Sequence, residues 1–308
     1  LGGGDMALYL GNKKVAVTKT IEKQVPSMKA FFDAGGKCQG STATSFDGCW
    51  QFDDTANVTD CKGFFLNCSS LVTLPPKMNL RNAKDFSRMF SSCSKLVSCP
   101  EFGGANVSAT REMFLYCSSI SFVPLFGTSE VSDMSYMFSN CKKLETVPHF
   151  DTSKVTDMNS MFYTCSSLIS IPQFNTSKVE SFSSFCNSCS KLSSVPLLDT
   201  SQATNMESMF SHCPRLVEIP ELNILNATAL YNIFYDCPSL EHIHMININA
   251  NLSISASTKF TREALLEIIG NLKAQTSGTR TLTMGATNLA KLTDEDKAIA
   301  TNKGWTLA

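Results

Sequence analysis

One spacing limits what this chain can fold into. Cys68, Cys93, Cys117, Cys141, Cys165, Cys189, Cys213 and Cys237 follow one another at 25 residues once and at 24 thereafter. Around them eight units stand in register. A phenylalanine recurs three before the cysteine (Phe65, Phe90, Phe114, Phe138, Phe162, Phe210, Phe234), usually with methionine one before that. An aliphatic follows three after it, from Leu71 in the first unit to Leu240 in the last, and proline stands seven after it in seven units, first as Pro75 and last as Pro220. Fixed periods of roughly 20 to 50 residues belong to solenoids and propellers. A propeller blade needs four strands in roughly 40 residues or more, whereas 24 residues leave room for one short helix and one short strand.

The expected fold is therefore α/β: a leucine-rich-repeat solenoid with a short helix and a short strand per coil, closed by N- and C-terminal caps. In the clearest unit, VTDMNSMFYTCSSLISIPQFNTS over 155–177, the residues Val155, Met158, Met161, Phe162, Cys165 and Leu168 are spaced 3, 3, 1, 3 and 3 apart. That spacing predicts one helical stripe. Ser or Thr recurs nine before the cysteine (Thr59, Ser108, Ser132, Thr156, Thr204, Thr228), placed to cap the helix. Asp60, Asp133 and Asp157 come next and suit the positive end of its dipole. Residues 168–171 read as an extended piece stopped by Pro172, which cannot donate to a ladder.

A coil of this size cannot bury enough apolar surface alone, so both ends need caps. The expected division is 1–45 for an N-terminal cap or attachment segment, 46–245 for the solenoid and 246–308 for a C-terminal cap. In front, residues 8–10 and 15–17 flank Gly11 and Asn12 like a hairpin, and 46–52 resembles a degenerate coil. Behind, Ile246, Ile248, Ala250, Leu252 and Ile254 alternate as in a strand. Two larger helix-strand units are then expected. Thr261 caps a helix carrying Leu265, Leu266, Ile268 and Ile269 before a strand near Leu282, and Thr293 with Asp296 forms a capping box ahead of Ile299 and a strand over 305–307.

The run MFxxCxxLxxIPxFDTSxVTDM, almost unaltered over 137–158, resembles the BspA-type leucine-rich-repeat surface proteins, and the resemblance covers about 58–243. It implies a bacterial surface or secreted protein with a role in adhesion; similar arrays occur on phage and prophage structural proteins. The closing LTDEDKAIATNKGWTLA and the opening ALYLGNKKVAVTK are similar to segments of gut-bacterial and phage proteins. Three positions depart from the pattern: Cys186 replaces the phenylalanine, Cys99 the aliphatic before Pro100, and His244 the proline of the last coil.

A net charge of −1 gives no chain-wide attraction to phosphate backbones or anionic lipid, which argues against nucleic acid. No apolar run of about 18 residues is present for membrane insertion. No secretory signal is visible at the start, where residues 1–5 are glycine-rich, and the expected location is the cell surface, the medium or a virion. The 13 cysteines admit three readings. Buried free thiols filling a packed seam are favoured over a disulfide framework, because in-register side chains point in parallel. Zinc at Cys186 and Cys189 lacks a second pair, and a redox pair lacks its strand-helix context. No nucleophile elbow, zincin motif or phosphate loop occurs. The expectation is a protein without catalytic residues, metal or cofactor, binding a protein or glycan on a host or neighbouring cell surface. The alternative is a purely structural spacer or decoration of a particle, and an enzyme, through a constellation that sequence does not show, is a distant third.

Alternation along the strand locates the expected face. The sixth residue after each ladder cysteine is always apolar, so its predecessor points outward: Thr73, Ser98, Phe122, Thr146, Ser170, Ser194, Glu218 and His242. The residues just past the prolines, among them Leu125, His149 and Gln173, share that rim. The candidate binding residues are Phe122, Leu125, Thr146, His149, Ser170 and Gln173, with Phe122 as an aromatic anchor. The competing reading folds Phe122 over its neighbours as a local cover.

Overall fold

The computed structural model describes residues 6–10, 13–17, 37–46 and 52–308. The chain divides into two compact units, Leu1–Lys154 and Val155–Ala308, with repeat coils in each. In the first, strands β1 (Met6–Leu10) and β2 (Lys13–Val17) pair antiparallel with Leu10 opposite Lys13. Most of the degenerate coil expected over 46–52 lies outside the described residues.

The helix expected in every coil is not what forms. Among the described residues of the repeat, 87–92, 111–116, 159–164 and their equivalents are runs of tight turns. The run over 87–92 closes three times on itself: Phe86 O accepts from Met89 N at 3.0 Å, Arg88 O from Ser91 N at 3.1 Å and Phe90 O from Cys93 N at 2.9 Å. The third residue of the first and last turns is left-handed: Arg88 and Ser92 have φ of 58° and 64°, Ser160 and Thr164 of 52° and 58°. That is the position type II turns hold at positive φ. Apolar positions three apart serve such turns as well as a helix, and this is why the spacing misleads.

The direction of the remaining amides decides the outcome. In a helix they would return to carbonyls four residues back; here they cross to the next coil. Met206, Ser208, Phe210 and His212 donate to the carbonyls of Ala229, Tyr231, Ile233 and Tyr235 at 3.0, 2.9, 3.0 and 2.7 Å. Phe86, Arg88, Phe90 and Ser92 do the same to Ala109, Arg111, Met113 and Leu115. Two left-handed residues cost roughly 2–4 kcal/mol per coil, and four ladder bonds return about 2–6 kcal/mol. The two are comparable, so the turn run holds its shape only where a neighbouring coil is stacked on it.

The polar residues read as helix caps act on the same ladder. Ser108, Thr204 and Thr228 donate their hydroxyls to the carbonyls of Lys84, Glu180 and Thr204 in the preceding coil, at 3.2–3.3 Å. The acids after them form turns of their own, with Asp60, Asp133 and Asp157 accepting from the amides two residues on at 2.7–2.8 Å. Short polar side chains that capture their own backbone favour such turns over helix.

The core is two phenylalanine columns and the cysteine column. Phe65, Phe90, Phe114 and Phe138 stack face to face at 5.4, 5.4 and 5.5 Å. Phe102, Phe126 and Phe150 run beside them at 5.3 and 5.2 Å. In the second unit Cys186 takes the ladder phenylalanine's place, and Phe185, one residue earlier, turns edge-on to Phe162 at 5.4 Å and to Phe182 at 5.4 Å. The seam is repacked rather than broken.

On the opposite side of each coil, extended backbone pairs mostly through single bridges such as Ser98 with Phe122. Longer strands appear in the last two coils, where β3 (Glu218–Asn223) and β4 (His242–Ile246) pair in parallel with a bulge after Ile219. β3 contains Pro220, beside the bulge, but β4 has His244 where the earlier coils have proline and so keeps an amide at that position. Beyond them the second unit closes with the expected helix-strand cap. A three-stranded parallel sheet orders β5 (Leu252–Ser253), β6 (Arg280–Thr283) and β7 (Trp305–Leu307). Helix α1 (Arg262–Gly270) is capped by Thr261, whose hydroxyl accepts from Ala264 N, and buries Leu265, Ile268 and Ile269. Short helix α2 (Ala286–Leu289) precedes α3 (Asp294–Asn302), which opens on the capping box of Thr293 and Asp296. Asp296 also holds Arg262 in a two-bond pair at 2.8 and 2.7 Å, tying α3 to α1. The strand expected through 246–254 is interrupted at Asn247, which is left-handed at φ 61°, although the burial of Ile248, Ala250, Leu252 and Ile254 follows the alternation.

Candidate binding face

The residue after the outward position is buried in every coil, from Leu74 through Val123 and Val147 to Ile243. Its predecessors Thr73, Ser98, Phe122, Thr146, Ser170, Ser194, Glu218 and His242 are all exposed. The alternation that pins an extended segment to a packed core thus sets this row facing solvent. Phe122 keeps 59% of its surface exposed and Leu125 66%, so Phe122 is not folded away as a local cover. Its backbone is fixed by the bridge to Ser98, while its ring stands free of the ladder.

Phe122, Leu125 and Thr146 border one shallow groove of about 360 Å³ in the first unit, together with Ser121, Val147 and Pro148. His149 is exposed nearby in sequence but does not line it. Ser170 and Gln173 belong to the second unit. Gln173 lines a separate depression of about 400 Å³ with Leu197, Asp199 and Glu221, and its side-chain amide donates to Leu197 O at 2.6 Å. The six residues singled out from sequence are therefore all exposed, but only three of them share a groove.

The cysteines belong to the scaffold. All twelve described ones are free and buried. Cys93, Cys117, Cys189 and Cys237 donate their thiols to the carbonyls of Phe65, Phe90, Phe162 and Phe210 at 3.0–3.1 Å. Burial raises these thiols well above the usual range, Cys237 to about 12. Cys186 sits in the same seam and is likewise raised by burial. Among the described residues no three or more His, Cys, Asp or Glu side chains cluster as metal ligands, and no helix is long and apolar enough to cross a membrane.

The second unit holds aromatic residues that the strand reading overlooked. Tyr231 and Tyr235 are 72% and 52% exposed on the turn run of the last coil. They border a cleft of about 810 Å³ whose other wall is Asn251, Ser253, Arg280 and Thr283 from the cap. Tyr235 meets His212 edge-on at 5.2 Å, and His212 bonds Asp236 at 3.0 Å. Farther on, His244 lies between Glu218 at 3.3 Å and Glu267 at 2.8 Å, joining β3 and β4 to α1. The hydrogen bond that His244 donates to the Glu267 carboxylate is the main cause that raises the His244 pKa.

These features define a repeat-array protein: stacked 24-residue coils with a packed thiol and phenylalanine seam and open polar and aromatic faces. The chain belongs to the family described as Mycoplasma protein of unknown function, DUF285, whose model matches residues 26–147, 99–196 and 132–247. No curated protein matches the chain. Among solved structures it is similar to a leucine-rich repeat protein from Bacteroides ovatus ATCC 8483, at 16% identity and a TM-score of 0.34 over 84% of this chain and 86% of that one. It is also similar to the T. pallidum leucine-rich repeat protein TpLRR, at 14% identity and a TM-score of 0.28 over 77% of this chain and 84% of that one. Likeness at those scores carries no argument, and the architecture rests on the coils themselves.

Proposed function

We propose that this protein is a non-enzymatic binding module that recognises a protein or glycan partner, displayed on a bacterial surface or carried on a virion in the manner of the BspA-type proteins it resembles. The observation that carries the reading is Phe122. A ring left 59% exposed beside a 66% exposed leucine has no part in the packed seam and offers the rigid aromatic contact that binding hot spots favour. The described thiols are taken up by the packed seam.

The test is the double variant Phe122→Ala, His149→Ala in a binding screen against host surface fractions and a glycan array. The expected result is loss of a partner captured by the parent, with a thermal midpoint close to the parent's. Full binding by the variant would remove this face. A chain that partitions into purified particles at fixed stoichiometry and captures nothing would support the structural-spacer reading.

A further inference from the structure

The ladder has a direction, and the direction leaves one end open. In every turn run of the second unit the amides at alternate positions point to the following coil and the intervening carbonyls to the preceding one: Phe182, Ser184, Cys186 and Ser188 donate forward, then Met206, Ser208, Phe210 and His212. Peptide dipoles aligned in series make the leading edge positive, as at a helix N-terminus. At the front of the array the carbonyl edge is taken, because Cys38 and Gly40 donate to Phe64 O and Leu66 O at 2.8 and 2.7 Å. At the far end the equivalent amides of Leu230, Asn232, Phe234 and Asp236 meet no acceptor among the described residues.

Three of those four residues, Leu230, Asn232 and Phe234, line the cleft between the last coil and the cap. Leu230, Asn232, Tyr231 and Tyr235 form one wall of it, and Phe234 lines its narrow extension toward Ser253 and Ser255. Arg280 is the one charged side chain in the lining; its Nε bonds Gln275, and no carboxylate pairs with it among the described residues. Asp236, at the far end, is turned to His212. The cleft and its extension therefore combine the open amides of three lining residues, Leu230, Asn232 and Phe234, with an unpaired guanidinium and two exposed phenolic rings, and the fourth open amide, that of Asp236, lies just beyond. In the coil before, such donors on alternate residues are met by alternate carbonyls of another turn run, so main-chain carbonyls of a peptide that follows the same turned course can meet them, and a guanidinium pairs best with a carboxylate through two bonds.

We infer that this cleft binds an acidic peptide segment, which takes the place of a following turn run by accepting from the open amides while a carboxylate side chain meets Arg280 and the tyrosines cover its length. The inference rests on the binding-module reading but uses a different face, so either can fail alone. The experiment titrates the full chain with a fluorescent octapeptide of alternating glutamate and threonine, its glutamine-threonine counterpart and an oligoglucuronate. It follows anisotropy and the backbone amide signals of a 15N-labelled sample. Expected are saturable binding of the acidic peptide, shifts at Leu230, Asn232, Phe234 and Asp236, and at least tenfold weaker binding by Arg280→Gln. Tyr231→Ala, which alters a mostly exposed side chain, should bind severalfold more weakly with an unchanged melting temperature. Absence of saturable binding, shifts confined elsewhere, equal affinity of the parent and Arg280→Gln, or tighter binding of the oligoglucuronate than of either peptide would overturn it.

Discussion

Replacing Phe114 tests the stacked seam where the structure makes it strongest. Its side chain is fully buried and lies between Phe90 at 5.4 Å and 11° and Phe138 at 5.5 Å and 6°. Phe114→Ala removes that ring from a site that cannot collapse without disturbing two neighbouring coils, and should cost about 3–5 kcal/mol. Phe114→Leu keeps most of the apolar volume and loses two ring contacts worth roughly 0.5–1.5 kcal/mol each, so about 1–3 kcal/mol. Phe210 supplies the control: among the described residues its ring meets only Phe234, at 6.2 Å, so Phe210→Leu should cost less than Phe114→Leu. Equilibrium urea unfolding followed by circular dichroism, with m held common, reads all three. A loss below about 1 kcal/mol for Phe114→Ala, or equal losses for the two leucine variants, would refute a seam built on ring stacking.

The thiols should resist iodoacetamide at pH 8 in the native protein and react after denaturation without reductant, as counted by mass spectrometry; rapid native labelling of a ladder cysteine would contradict their raised pKa. Deletion from Thr261 onward strips the helix that buries Leu265, Ile268 and Ile269 and should cause aggregation visible by light scattering, whereas a monodisperse product of unchanged stability would show that the cap is dispensable. The folded pKa of His244 is raised above its ordinary 6.5, chiefly by Glu267. Its contribution to stability is therefore fully present below about pH 6.5 and is lost as pH rises through the higher folded value. The melting temperature should fall over that window in the parent and show a smaller slope in His244→Gln; identical slopes would assign the pH dependence to other groups.

Sequence conveyed the parts of this fold that depend on one chain segment meeting a core. The buried and exposed rows beside Val123 and Phe122, the Thr261 cap and the Thr293 to Asp296 box follow from alternation and local capping, and each takes the expected place. The turn runs were hidden because residues 3, 3, 1, 3 and 3 apart line one face of a helix and also one side of consecutive three-bond turns. The discriminating signal lies in the polar positions: Gly63, Asn67, Asn140, Ser160, Ser184 and Asn232 take left-handed backbone, and glycine, asparagine and serine are poor helix interiors. The outward setting of Phe122 was legible in the same way, but alternation alone left open whether its ring covered its neighbours or stood exposed, as its 59% exposure shows it does. The cleft at Tyr231 and Arg280 was not legible, since it exists only because the ladder stops at Asp236 and the cap begins a new geometry.

The cysteine column acquires a physical reason from the same ladder. The carbonyl three before Cys68, Cys93, Cys117, Cys165 and Cys189 receives two bonds: Phe90 O, for example, accepts from Cys93 N at 2.9 Å within its own coil and from Cys117 Sγ at 3.0 Å in the next. Its second lone pair points into the seam, where no backbone amide is left to reach it. A side chain there must be small, apolar enough for a fully buried site and able to donate once, which the thiol satisfies. The hydrogen bond also sets the direction of the sulfur along the stack toward an oxygen, not toward the sulfur of a neighbouring coil. A disulfide between adjacent ladder cysteines would require both to abandon those carbonyls and the seam to open around them. Free thiols in this array therefore follow from packing, and they carry no information about whether the protein works in a reducing or an oxidising compartment.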